Sequence, residues 1–133
     1  MKNFLFLVIA FFSFLLVDAQ EQISQPQEKI YQMDDVDIKP EYPGGINEFN
    51  KFIAKNINAP EKEGLNGKVV VAFIIEIDGN ISNITSIQDI GYGSGQEAVR
   101  VVKESKKWIP AQKEGKPVRV VFRFPITISS VRH

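Results

Sequence analysis

Lys116-Pro-Val-Arg-Val-Val-Phe-Arg-Phe-Pro-Ile-Thr-Ile-Ser129 is a stretch of strict alternation. Val118, Val120, Phe122, Phe124, Ile126 and Ile128 occupy every second position, with Arg119, Val121, Arg123, Pro125 and Thr127 between them. Successive side chains of a strand point to opposite faces, so the first set is expected to cover a core and the second to face outward. The eleven residues from Val118 to Ile128 would span roughly 36 Å, well beyond the usual strand of about 5 or 6 residues. Pro125 has no N–H to give to a ladder, which places it on a strand that is not paired on both sides at this end. Two readings follow. Either the edge is blunted by Arg and Pro against aggregation, or its backbone groups are a docking site for an extended segment of another protein.

Working outward, the chain before this strand supplies an antiparallel partner. Val69, Val71, Phe73, Ile75 and Ile77 alternate with Lys68, Val70, Ala72, Ile74 and Glu76, a nearly continuous apolar run that suits a central strand. Asp78-Gly-Asn80 provides the positive-φ residues of a tight hairpin, and Ile81 to Gln88 returns. Ser94-Gly-Gln-Glu97 has the spacing of a capping box and opens a helix whose buried stripe runs through Ala98, Val101, Val102, Ser105 and Trp108 or Ile109, with Pro110 ending it. Gly115-Lys-Pro117 turns into the final strand. Upstream, Ile46, Phe49, Ile53 and Ile57 recur at helical spacing, and Pro40-Glu-Tyr-Pro-Gly-Gly45 forces turns around a Tyr42 expected to plug against the domain.

The chain of 133 residues has room for one domain plus extensions. Its 16 basic and 16 acidic residues cancel, which removes a general case for nucleic-acid binding. Residues 67–133 nevertheless carry 10 Lys/Arg against 6 Asp/Glu, so the C-terminal half is cationic. With no cysteine there is no disulfide framework, thiol nucleophile or thiolate zinc site. Asp34, Asp35 and Asp37 lack the glycine turn and later glutamate of a calcium loop and read as a solvated acidic linker; no metal or cofactor site is expected. Gly91-Tyr-Gly93 lacks the third glycine and the Lys-Ser/Thr pair of phosphate-binding loops. The single histidine is the terminal His133, and no nucleophile has a base placed near it, so no catalysis is expected.

Met1-Lys-Asn3 followed by the apolar run of 14 residues from Phe4 to Val17, and then by Ala19, reads as a secretory signal peptide. As a helix that run is about 21 Å long, short of the roughly 30 Å hydrocarbon core. A retained short anchor is the alternative. Residues 1–19 are thus assigned to a signal peptide or anchor, 20–39 to a flexible polar arm, and 40–133 to the domain.

Asn66-Gly-Lys-Val-Val-Val-Ala-Phe-Ile-Ile-Glu-Ile-Asp-Gly-Asn-Ile-Ser-Asn-Ile84, the helix ending in Lys107-Trp-Ile-Pro110, and Gly115-Lys-Pro-Val-Arg-Val120 together resemble the C-terminal domain of the TonB family. The version resembled opens with Pro-Glu-Tyr/Phe-Pro-Gly-Gly, here Pro40 to Gly45, and the resemblance runs to about Ile128. It implies an α+β fold of two helices packed on one face of a three-stranded antiparallel sheet. It also implies a periplasmic module that grips the N-terminal segment, the TonB box, of outer-membrane receptors by adding it beside the last strand. On this sequence the gripping edge would be Arg119 to Thr127, with Arg119, Val121, Arg123, Pro125 and Thr127 as the partner-binding residues. If residues 4–17 stay as an anchor, the resemblance implies a complete energy transducer meeting an inner-membrane proton-driven complex. Reuse of the same edge for another envelope protein, and a homodimer formed through it, are the other expectations.

Overall fold

The computed structural model describes residues 29–130; the expected signal peptide, the start of the arm and His133 lie outside the described residues. Strand β1 (Ile30–Tyr31) leads through a single 3-10 turn (Met33–Asp35) to helix α1 (Ile46–Asn56). Strands β2 (Asn66–Ile75) and β3 (Ile81–Gln88), helix α2 (Ser94–Lys103), and strands β4 (Ala111–Lys113) and β5 (Lys116–Ser129) follow.

The three-stranded antiparallel sheet expected from the resemblance is the centre of a larger one. The strand order is β1-β5-β2-β3, with β4 also paired to β5. The β5–β2 and β2–β3 pairs are antiparallel, whereas β1 lies parallel to β5, so the sheet is mixed and five-stranded. The two additional strands come from segments too short to show periodicity: two residues inside a polar arm and three after Pro110. The part of residues 20–39 that is described is docked rather than free. Met33 and Val36 pack against the core, and Ile38 and Glu41 bridge to Gln112 and Ile109.

β2 and β5 hold each other from Asn66↔Ser129 to Ile75↔Val120 without a register shift. Val69, Val71, Phe73 and Ile75 on one strand thereby lie beside Ile126, Phe124, Phe122 and Val120 on the other, and this face forms the core. On β3, Ile81 and Ile84 are three apart, a spacing that would put them on opposite faces of a regular strand. Both pack against the core because the ladder slips there and Asn83 takes a left-handed φ of 49°.

α1 drives Phe49 and Ile53 into this face. Phe49 meets Phe124 at 4.7 Å, Trp108 at 4.9 Å and Tyr42 at 4.9 Å between ring centroids. Tyr42 is buried against Phe49 and Trp108, the plug expected from the Pro-Gly-rich stretch. α2 covers β2 and β3 with Ala98, Val101 and Val102.

Two expectations at the ends of α2 are corrected. Ser94 is not a cap: Gly93 precedes the helix, and the buried Ser94 hydroxyl accepts from the Ile90 N–H. Glu97 accepts instead from the Asn58 N–H at 2.7 Å and from Arg100 at 2.8 Å, so its carboxylate is committed elsewhere. The helix also stops at Lys103, well before Pro110. The Glu104 and Ser105 amides bond back to Val101 and Val102 in a tightened last turn, and Trp108 is drawn away to the hairpin, where its N–H donates to the Gly79 carbonyl at 2.9 Å. Trp108 is therefore core without being helical, and Ile109 is exposed.

Gly79 has φ +87°, and a Cβ there would lie 2.1 Å from the Trp108 carbonyl oxygen. Gly79→Ala is expected to cost about 2–3 kcal/mol, more than the strain of the backbone alone, because the loop carrying Trp108 must retreat. Phe49→Ala, which empties the centre of the aromatic cluster, should cost about 3–5 kcal/mol. Urea unfolding followed by Trp108 fluorescence measures both; a loss below 1 kcal/mol in either would contradict this packing.

Candidate functional site: the outer edge of the last strand

Each strand residue has two edges. Val120 uses both, pairing with Ile75 of β2 on one side and Tyr31 of β1 on the other, so β1 and β2 lie on opposite edges of β5. Beyond Val120 the β2 side is filled to Ser129, while on the β1 side no strand among the described residues follows Tyr31. The backbone from Val121 to Ser129 on that side forms an acceptor edge. Pro125 pairs with Val70 on the filled side and has no strand on the other, the position its missing N–H favours.

The five residues singled out in the sequence share one face of β5, the one alternating with buried Val120, Phe124, Ile126 and Ile128. Their surroundings differ. Arg123, Pro125 and Thr127 are exposed opposite Ala72, Val70 and Lys68. Val121 is half-buried opposite Ile74. Arg119 is not free for a partner in the way the alternation suggested. Its guanidinium donates to both carboxylate oxygens of Glu76, at 2.7 and 3.2 Å, and its stretch of edge is taken by Ile30. Arg123 donates to the Gln32 side-chain oxygen at 3.3 Å and makes no ion pair among the described residues. It is the exposed cation of this stretch.

Glu76 is hidden in the sequence between Ile75 and Ile77 at the end of an apolar run. The hairpin brings it beside Arg119, 43 positions away, and the Ser82 hydroxyl also donates to it. Arg119's hydrogen bond, then Ser82's, hold the Glu76 carboxyl below the usual glutamate range, against an opposing effect of burial. Both side chains are 24% exposed, so the pair is partly shielded from solvent. Ile30, Tyr31 and Gln32 were also missed, because a two-residue apolar interruption in a polar arm carries no periodic signal.

Residues 59–127, just over half of the chain, match the family described as Gram-negative bacterial TonB protein C-terminal. The matched span covers β2, β3, α2, β4 and β5 up to Thr127; β1 and α1 lie outside it. No curated protein and no solved structure matches the chain.

A carboxylate with a depressed folded-state pKa adds stability above its ordinary value, and that stability is lost as pH falls through the folded-state value. The Glu76–Arg119 pair should therefore contribute about 1 kcal/mol at neutral pH. Glu76→Gln is expected to be less stable than the parent by that amount at pH 7. The difference should vanish well below the ordinary glutamate value of about 4.3. Urea midpoints at the two pH values test this; a pH-independent difference would mean the pair is not the cause.

Proposed function

Because the chain belongs to the family of Gram-negative bacterial TonB protein C-terminal domains, we propose that it is a periplasmic binding module that captures the N-terminal segment of an outer-membrane receptor by strand addition to β5. The family is one of envelope transport and protein interaction, whose domains engage outer-membrane receptors. The observation that carries the reading is the edge of β5 opposite β2, which among the described residues has no strand beyond Val120 and already accepts a short parallel strand at Arg119 and Val120. An edge that takes one extended segment presents the N–H and C=O spacing needed for another.

The chemistry of the segment follows from the side chains beside this edge. Val121, Pro125 and the methyl of Thr127 favour small apolar or β-branched residues, as cross-strand neighbours do. Arg123, which makes no ion pair among the described residues, favours an acidic or amide side chain close to it. Arg119 is already neutralised by Glu76 and contributes less. About five backbone hydrogen bonds at a net ~1 kcal/mol each, with the side-chain contacts added and the ordering of the segment set against them, give micromolar or weaker binding. Weak capture suits a contact that has to be released.

No helix of the described residues is long and apolar enough to cross a membrane. Residues 4–17 lie outside them, so an anchor that would make the chain a complete energy transducer is a separate proposal that rests on the N-terminal sequence. Release of the protein from cells without detergent would remove it.

A photoreactive residue at position 127, in the full chain in native cells, tests the receptor reading. Capture of the N-terminal segment of an outer-membrane receptor is expected, and Arg123→Glu should reduce it about fivefold or more by repelling an acidic segment. Capture only of a second copy would replace the reading with a homodimer that covers the edge. Capture only of another envelope protein would mean a different partner.

A further inference from the structure

β1 occupies the first part of the edge assigned above to a partner, and it is held far less firmly than the chain that follows it. Two residues pair with β5, Ile30 with Arg119 and Tyr31 with Val120. Ile30 is 40% exposed and Tyr31 half-buried, so neither β1 side chain is among the fully buried core. Lys29 sits over the ring of Tyr31, a contact inside the arm that does not tie it to the body. Among the described residues, Arg123 donates a side-chain hydrogen bond to Gln32, and no ion pair joins residues 29–32 to β5.

Met33 and Val36 already pack against the core, and the contrast in hydrogen bonding begins at Asp37. The Asp37 and Ile38 amides both donate to the Gln112 carbonyl, the Gln112 amide donates back to Ile38, and Glu41 and Ile109 exchange both backbone bonds at 2.9 and 2.7 Å. The Asp37 carboxylate accepts from the Glu114 amide at 2.7 Å and faces the Lys113 ammonium at 3.8 Å. Between the two regimes lies the 3-10 turn Met33–Asp35, with no side-chain cap. Residues 29–32 can therefore leave β5 while residues 37–41 stay in place.

Residues 29–32 also stand where a partner must go. A partner strand running beside Arg119 to Thr127 would coincide with Ile30 and Tyr31 at its first two positions and with Gln32 near Arg123. We infer that β1 is a displaceable strand in cis, an autoinhibitory occupant that competes with the receptor segment for the edge of β5. The inference rests on the receptor reading and adds to it a built-in competitor. β1 lies outside the residues that match the family.

Competition of this kind lowers apparent affinity by the factor by which the closed form exceeds the open one. With two residues paired to β5, a closed form favoured by roughly five- to tenfold is the expected size of the effect. Two full-chain variants bracket the effect. Ile30→Pro removes an N–H from β1 and restricts its backbone, which releases the strand. Ile30→Cys with Arg119→Cys joins two paired positions in a chain that has no other cysteine, and the same protein is compared oxidised and reduced.

Amide exchange by NMR gives a readout that needs no partner. In Ile30→Pro, exchange of the β5 amides that face β1 around Arg119 and Val120 should accelerate about five- to tenfold, while Val69, Val71 and Phe73 stay protected. Opening of the β2 amides as well would make β1 part of the core and overturn the inference. Capture from position 127 should rise about fivefold in Ile30→Pro and fall in the oxidised double variant relative to its reduced form. Equal capture in all forms would overturn the inference and leave the receptor reading standing. If no form captures a receptor although exchange responds as expected, both fall together.

Discussion

From Val120 to Ser129 one edge of β5 is committed to β2 by an uninterrupted antiparallel register, and a strand has only one other edge to offer. That constraint runs through the rest of the molecule. The unbroken register puts the aromatic and aliphatic faces of both strands on the same side, where α1 and α2 cover them, so the helices are excluded from the second edge. An outer edge with no helix over it must be left open, blunted or covered by an extended segment. Here it is partly covered by β1 and interrupted by Pro125.

The core that supports this edge is assembled from distant segments. Phe49 of α1, Tyr42 of the Pro-Gly turn, Phe73 of β2, Phe122 and Phe124 of β5, and Trp108 of the connection after α2 form one cluster of rings at favourable tilted or edge-on angles. Trp108 is fixed twice, by packing and by its backbone bond to Gly79 at the hairpin tip. The close approach at Gly79 explains why a residue without a side chain stands there, beyond the needs of the turn itself. Because the segment that holds Trp108 leads directly into β4 and β5, the hairpin tip, the tryptophan loop and the start of the acceptor strand are mechanically joined.

Electrostatics divides the acceptor edge into two. At its start, Glu76 neutralises Arg119 and Asp37 faces Lys113, so charges there hold the molecule's own segments together. Further along, Arg123 has only the Gln32 amide oxygen as a side-chain partner among the described residues, which leaves its charge without a counter-ion there. The division follows from topology: the hairpin and the docked arm both end beside the first residues of β5, and neither reaches the last ones.

The sequence by itself determined the two helices, the β2–β3 hairpin, the central position of β2 and the two faces of β5, because each depends on local periodicity or on turn residues that act within a few positions. It also carried the family resemblance, since the motifs of β2, α2 and β5 are contiguous. The tertiary structure alone decided the fate of particular side chains and edges. Ser94 lost its capping role to Ile90, Glu97 was drawn to Asn58 and Arg100, and Trp108 left the helix for Gly79. Arg119 acquired Glu76, and the outer edge acquired β1. Each is a pairing between residues far apart in the chain, in which a polar group or an open edge takes the best partner that folding brings within reach. Periodicity says which way a side chain points, and only the assembled fold says what is waiting there.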